Sequence, residues 1–136
     1  MPKTPTTFTN LQATNNIFRN VTVSTLTTAG VVALTADQIL GGLILRDPNG
    51  AGRADTFPTA AAVYAATNSP MNGVNLSFEF TIRNTADAAE TITMSTATGL
   101  TLSGVMTIAQ NNTKKFLWVQ TSPTAATVYS MGTRVT

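Results

Sequence analysis

Apolar and polar residues alternate most regularly between positions 74 and 84. Leu76, Phe78, Phe80 and Ile82 fall on one side, and Asn75, Ser77, Glu79, Thr81 and Arg83 on the other. A strand places successive side chains on opposite faces. The stretch therefore predicts a central antiparallel strand with one face on a core and the other on solvent or a polar interface. Residues 21–27 and 31–35 alternate more weakly and predict two short strands, a candidate hairpin around Thr28-Ala29-Gly30. Residues 39–46 form an apolar run broken by Gly41-Gly42, which in a strand marks a bulge or a close backbone approach. Residues 90–95, with Ile92 and Met94 inward, are expected to pair with the central strand. Residues 99–104, 105–109, 114–121 and 124–131 supply the remaining strands. Asp47-Pro48-Asn49-Gly50, Gln110-Asn111-Asn112 and Ser122-Pro123 are turn signals between them.

One helix is expected, over residues 56–66. It is rich in alanine, the best helix former. Thr56 is the expected cap, Pro58 falls in the first turn, and Asp55 sits near the positive end of the helix dipole. Phe57, Ala61 and Tyr64 are spaced to share a face. About seven to nine short strands with Gly, Pro and Asn turns between them predict an all-β fold, an antiparallel β-sandwich with a jelly roll as the specific form. Residues 21–136 form the expected domain. Residues 1–20 are polar and read as an extended N-terminal arm, with Phe8, Leu11, Ile17 and Phe18 as anchors on a neighbour. The competing readings are a frayed terminus for the first few residues and packing of Ile17 and Phe18 on the domain itself.

Composition narrows the function. The chain has 136 residues, enough for one domain with its own core. Only 10% of residues are charged, against the usual quarter, and threonine makes up about a fifth of the chain. Interfaces are depleted in Lys and Glu, so such a surface suits permanent contact. A stable, neutral-surfaced domain is the plainer reading. Net charge is +2, and Lys114-Lys115 is the one adjacent basic pair, so nucleic-acid binding is not expected. There is no long apolar run for a membrane span and no apolar segment near the N-terminus for a signal peptide.

The chain contains neither cysteine nor histidine. The commonest acid–base, nucleophilic and zinc arrangements are therefore missing, and neither an enzyme nor a cofactor is expected. Asp47-Pro48-Asn49-Gly50 opens like a calcium loop but lacks the later acidic ligands. Gly50 and Gly52 near Arg53 lack the Gly-Lys-Ser/Thr ending of a phosphate loop. Three matches to the glycosylation sequon, at Asn20, Asn75 and Asn111, are expected by chance in a chain this rich in Asn and Thr. Arg46, Asp47, Arg53 and Asp55 gather four of fourteen charged residues within ten positions. They either staple their own loop or reach a neighbour across an interface. Phe116 and Trp118 alternate with Leu117 and Val119, so both faces of that strand are apolar, as in a doubly covered strand or an interface. Trp118 and Tyr129 are the aromatics available to stack on a sugar, with core or interface packing as the alternative.

The polar arm, the Thr-rich strands, the stretch Gly41-Gly42-Leu43-Ile44-Leu45-Arg46-Asp47-Pro48-Asn49-Gly50 and the start Asp55-Thr56-Phe57-Pro58-Thr59-Ala60-Ala61 resemble small virion proteins. These are the decoration, or cement, proteins of tailed bacteriophages and related minor virion proteins of large DNA viruses. The resemblance covers most of the chain from about residue 21 onward. It implies a non-enzymatic protein on the outer surface of the capsid that assembles as a homotrimer and clamps neighbouring copies of the major capsid protein. It also implies a jelly-roll or related β fold with an arm for capsid contact, and the inserted helix departs from that pattern. The alternatives are a carbohydrate- or receptor-binding spike or head domain, and a tail or head-tail connector component.

Overall fold

The computed structural model describes residues 20–67 and 76–135. The arm anchors Phe8, Leu11, Ile17 and Phe18 lie outside the described residues, as do Val74 and Asn75 at the start of the expected central strand. In chain order the elements are β1 (Thr22–Leu26), α1 (Ala36–Gly41), β2 (Gly42–Arg46), β3 (Arg53–Thr56) and α2 (Ala60–Thr67), followed by β4 (Leu76–Asn84), β5 (Ile92–Ser95), β6 (Leu100–Ser103), β7 (Thr107–Ile108), β8 (Thr113–Ser122) and β9 (Ala125–Arg134). The chain is thus mostly β, arranged as two mixed sheets. The larger has the order β1-β2-β4-β8-β9-β6 and the smaller β3-β5-β7.

Strand direction corrects the antiparallel expectation. Among the described residues β1 runs parallel to β2, β2 to β4, β3 to β5 and β6 to β9, while β4–β8, β8–β9 and β5–β7 are antiparallel. Parallel neighbours need a crossover. Here α1 lies between β1 and β2, and β3 with α2 lies between β2 and β4. The expected hairpin of residues 21–27 with 31–35 does not form. Residues 32–34 cross to the smaller sheet instead, where the Thr56 N–H donates to the Val32 carbonyl and the Leu34 N–H to the Thr56 carbonyl, both at 2.9 Å. Residues 90–95 likewise pair with β3 rather than with β4, whose two sides are taken by β2 and β8.

The helices depart from expectation in two ways. Residues 36–41, of which 39–41 were read as the start of the apolar run, form α1. Thr35 and Gln38 close a capping box over its first turn, with Gln38 N–H to Thr35 Oγ1 at 3.2 Å and Thr35 N–H to Gln38 Oε1 at 2.9 Å. The glycine pair is explained by this helix. Gly42 is its left-handed cap at φ +101°. A Cβ on Gly41 would stand 2.9 Å from the Thr22 carbonyl oxygen of β1. The second helix, α2, begins later than expected. Thr56 belongs to β3, and Thr59 is the cap, its hydroxyl accepting from Ala62 N–H at 3.1 Å. The helix buries Ala60 and Val63. Ala61 is exposed, and Phe57 precedes the helix and enters the core.

The core lies between the two sheets. Ile44, Phe80, Ile82, Phe116, Trp118 and Val128 come from the larger sheet, Ile92, Met94 and Ile108 from the smaller, and Ile39, Ala60 and Val63 from the helices. Phe80 and Phe116 stack across β4 and β8 at 5.3 Å, and Phe57 meets both edge-on at 6.0 and 5.5 Å. Such pairs contribute about 0.5–1.5 kcal/mol beyond the area they bury.

Three buried polar groups tie this core together, each with its hydrogen bonds made. Arg46 of β2 holds Asp55 of β3 through Nε to Oδ2 at 2.7 Å and Nη2 to Oδ1 at 3.2 Å. Its remaining donors reach the carbonyls of Thr28, Gly30 and Asp47. Asn84 of β4 donates to the carbonyls of Glu90 and Ile108 and accepts from Ala86 N–H. Gln120 of β8 accepts from Trp118 Nε1 at 2.7 Å and donates to the carbonyls of Ala60 and Ser122. A buried polar group costs free energy unless it is paired. These three therefore fix how the sheets and α2 sit on one another.

Candidate contact surface

Alternation along each strand of the larger sheet sends one set of side chains to the core and the other to an outer face. Strand register arranges the outer set in rows. Val23, Leu43, Thr81 and Lys115 form one row, and Thr25, Leu45, Arg83 and Thr113 a second. Glu79, Leu117, Tyr129 and Ser103 form a third, and Ser77, Val119, Thr127 and Thr101 a fourth. Five of these sixteen side chains are aliphatic and one is aromatic, while threonine and serine supply most of the rest. Leu43, Leu45, Leu117 and Val119 are half-buried by their neighbours. Val23, Tyr129 and the adjoining Met131 are exposed at 51%, 39% and 54%.

Charge on this face is sparse. Lys115 Nζ lies 3.0 Å from Glu79 Oε2, and both side chains are about half exposed. An exposed pair of this kind contributes roughly 0–1 kcal/mol. Its effect is to neutralise the middle of the face.

The residues singled out from sequence divide between surface and interior. Leu117 and Val119 are on the outer face. Phe116 and Trp118 are fully buried in the core, so they are not contact residues, because the inward side of β8 faces the smaller sheet. Of the two readings of the loop charges, Arg46 and Asp55 follow the one within the chain: they are 1% exposed and spent on each other, so they are not interface residues. Asp47 and Arg53 stay with their own loop. The Asp47 carboxylate accepts from Asn49 N–H at 2.9 Å, and Arg53 Nε donates to the Pro48 carbonyl at 3.4 Å. The Trp118 ring is enclosed and its N–H is bonded to Gln120, so it offers no stacking surface, whereas Tyr129 remains exposed.

Val23, Leu43 and Leu45 were not marked as contact residues from sequence, while Tyr129 was marked as a candidate sugar-stacking or interface aromatic. Leu43 and Leu45 sit in the unbroken apolar run 42–45, where alternation gives no sign of which side faces out. No pocket of ligand size and no group of three acidic side chains able to hold a metal ion is found among the described residues. No helix there is long and apolar enough to cross a membrane. Comparison with protein-family models, curated proteins and solved structures finds no match to this chain.

Proposed function

We propose that this is a non-enzymatic virion structural protein, a capsid decoration or cement protein that stabilises the shell by binding the major capsid protein on the capsid's outer surface. The contact surface in this reading is the outer face of the six-stranded sheet, on a β-sandwich of mixed strand direction rather than an antiparallel jelly roll. One observation carries it. The broad face combines half-buried Leu43, Leu45, Leu117 and Val119 with rows of Thr and Ser, and its central charges, Glu79 and Lys115, cancel each other. Covering such a face removes apolar area from water, at about 25 cal/mol per Å². Threonine hydroxyls can meet a partner's polar groups without the entropy loss of long charged side chains. Repetition of the contact over a lattice adds avidity to individually weak sites.

Co-sedimentation with shells assembled from the major capsid protein of the same virus tests the proposal. Wild-type protein is expected in the pellet at saturating stoichiometry. The Leu117→Lys/Val119→Lys double variant is expected to stay folded and remain in the supernatant. Folded wild-type protein that never pellets with shells contradicts the reading.

A further inference from the structure

Six cationic side chains lie among the described residues, and three of them are turned inward or onto their own loop. Arg46 holds Asp55, Lys114 is 2% exposed and donates to the Val105 carbonyl at 2.7 Å, and Arg53 donates to the Pro48 carbonyl. The other three, Arg83, Lys115 and Arg134, share the outer face of the larger sheet, and register gathers them at one end of it. Thr113 of β8 alternates with buried Lys114 and so lies on the outer side. Arg83 of β4 and Arg134 of β9 are its two partners, one from each side, and Lys115 follows two residues along β8. Two strand spacings separate the arginines, about 10 Å between their Cα atoms.

The chain's own carboxylates do not answer both arginines. Glu79 is paired with Lys115. Asp47, in the turn after β2, accepts from Asn49 N–H. Asp55 and Glu90 are buried, Asp37 is in the first turn of α1, and Asp87 is in the loop between β4 and β5. Neither Arg83 nor Arg134 has a hydrogen-bond or ion-pair partner among the described residues. Each guanidinium is a planar fork that a carboxylate meets with two parallel hydrogen bonds. Two open forks therefore flank the Thr113 hydroxyl on a face that is otherwise apolar or neutral.

We infer that Arg83 and Arg134, with Thr113 between them, form a carboxylate-docking patch that takes an acidic loop of the protein covering the outer face. The inference rests on that face being the contact surface, and adds the chemistry of the partner at one end: two Asp or Glu side chains within reach of the two forks. Leu45 is beside Arg83 in register, so the patch runs directly into the apolar rows. Arginine among apolar side chains is the composition that protein interfaces enrich. A nucleic-acid backbone calls for a longer run of cations. Exposed ion pairs add little affinity. Their effect here is orientation: the Thr and aliphatic rows resemble one another from strand to strand, and a charged end fixes which way the partner lies across them.

Titration of the full-length chain with hexaglutamate, followed by nuclear magnetic resonance, tests the inference without a shell. Saturable shifts are expected at the Arg83 and Arg134 Nε–H signals and the Thr113 amide. They should be absent with hexaglutamine, in high salt, and in Arg83→Gln/Arg134→Gln, whose circular dichroism should match wild type. The same variant is expected to bind shells at least about threefold more weakly, with a shallower salt dependence. No saturable shift at these groups, equal shifts with oligothymidylate, or shell affinity unchanged in the variant overturns the inference. Wild-type protein that docks hexaglutamate through these groups yet never pellets with shells supports the patch and tells against the shell reading alone.

Discussion

Removing the Arg46 guanidinium while leaving Asp55 in place is the sharpest perturbation of the interior. All five guanidinium donors have acceptors: both Asp55 oxygens and the carbonyls of Thr28, Gly30 and Asp47. Asp55 also accepts from Val32 N–H at 2.8 Å. Arg46→Met keeps much of the side-chain volume but leaves a buried carboxylate without its cation and three carbonyls without a donor. Breaking a buried pair from one side costs about 3–5 kcal/mol, a large share of the 5–15 kcal/mol typical of a whole domain. Arg46→Met/Asp55→Leu removes both charges and is expected to cost less than Arg46→Met alone, because an uncompensated charge is no longer buried. Arg46→Lys retains charge but not the planar fork, and falls between wild type and Arg46→Met. Urea unfolding of wild type, Arg46→Met, Asp55→Leu and the double variant completes a double-mutant cycle, with Arg46→Lys measured beside it. A loss below about 1 kcal/mol for Arg46→Met, or additive losses in the double variant, would refute the assignment of this pair as the clamp between β2 and β3.

Other perturbations follow from the same geometry. Gln120→Leu orphans the Trp118 indole N–H and the Ala60 carbonyl inside the core; about 1–3 kcal/mol of stability should be lost, read by urea unfolding. Thr35→Ala opens the capping box of α1 and should cost roughly 1 kcal/mol by the same assay, with Thr35→Ser close to neutral. Burial lowers the pKa of Lys114 from the ordinary 10.5. Between the lowered value and 10.5 the unfolded chain binds more protons than the folded one, so stability rises with pH across that window, while the cost of the buried charge is present in full below it. Lys114→Met should abolish that alkaline rise in the urea midpoint, and a rise of equal size in the variant would exclude Lys114 as its source.

Alternation made β4, β8 and β9 legible because each buries one face and leaves the other outside. Strand partners were less legible. The sequence around Thr28-Ala29-Gly30 looks like a hairpin turn, yet the carbonyls of Thr28 and Gly30 are drawn to the Arg46 side chain, and the chain then crosses to the smaller sheet. That decision rests on a side chain sixteen residues or more away, which local pattern does not report. By contrast α1 was present in the sequence as Thr35-x-x-Gln38 followed by Gly41-Gly42. Its six residues are too few for an amphipathic period to stand out against the apolar run that follows. The four charges at 46, 47, 53 and 55 were visible as a cluster, but their destination depended on whether Arg46 and Asp55 point inward. The outer face was half visible: Leu117 and Val119 alternate with Phe116 and Trp118, while which pair faces the core depends on the smaller sheet.

Electron cryomicroscopy of shells with and without the protein bound tests the central claim most directly. The proposal predicts added density on the outer capsid surface, with the outer face of the six-stranded sheet, at Leu43, Leu45, Leu117 and Val119, against the major capsid protein. Contact through the three-stranded sheet with that outer face left in solvent, or no added density at saturating concentration, would contradict it.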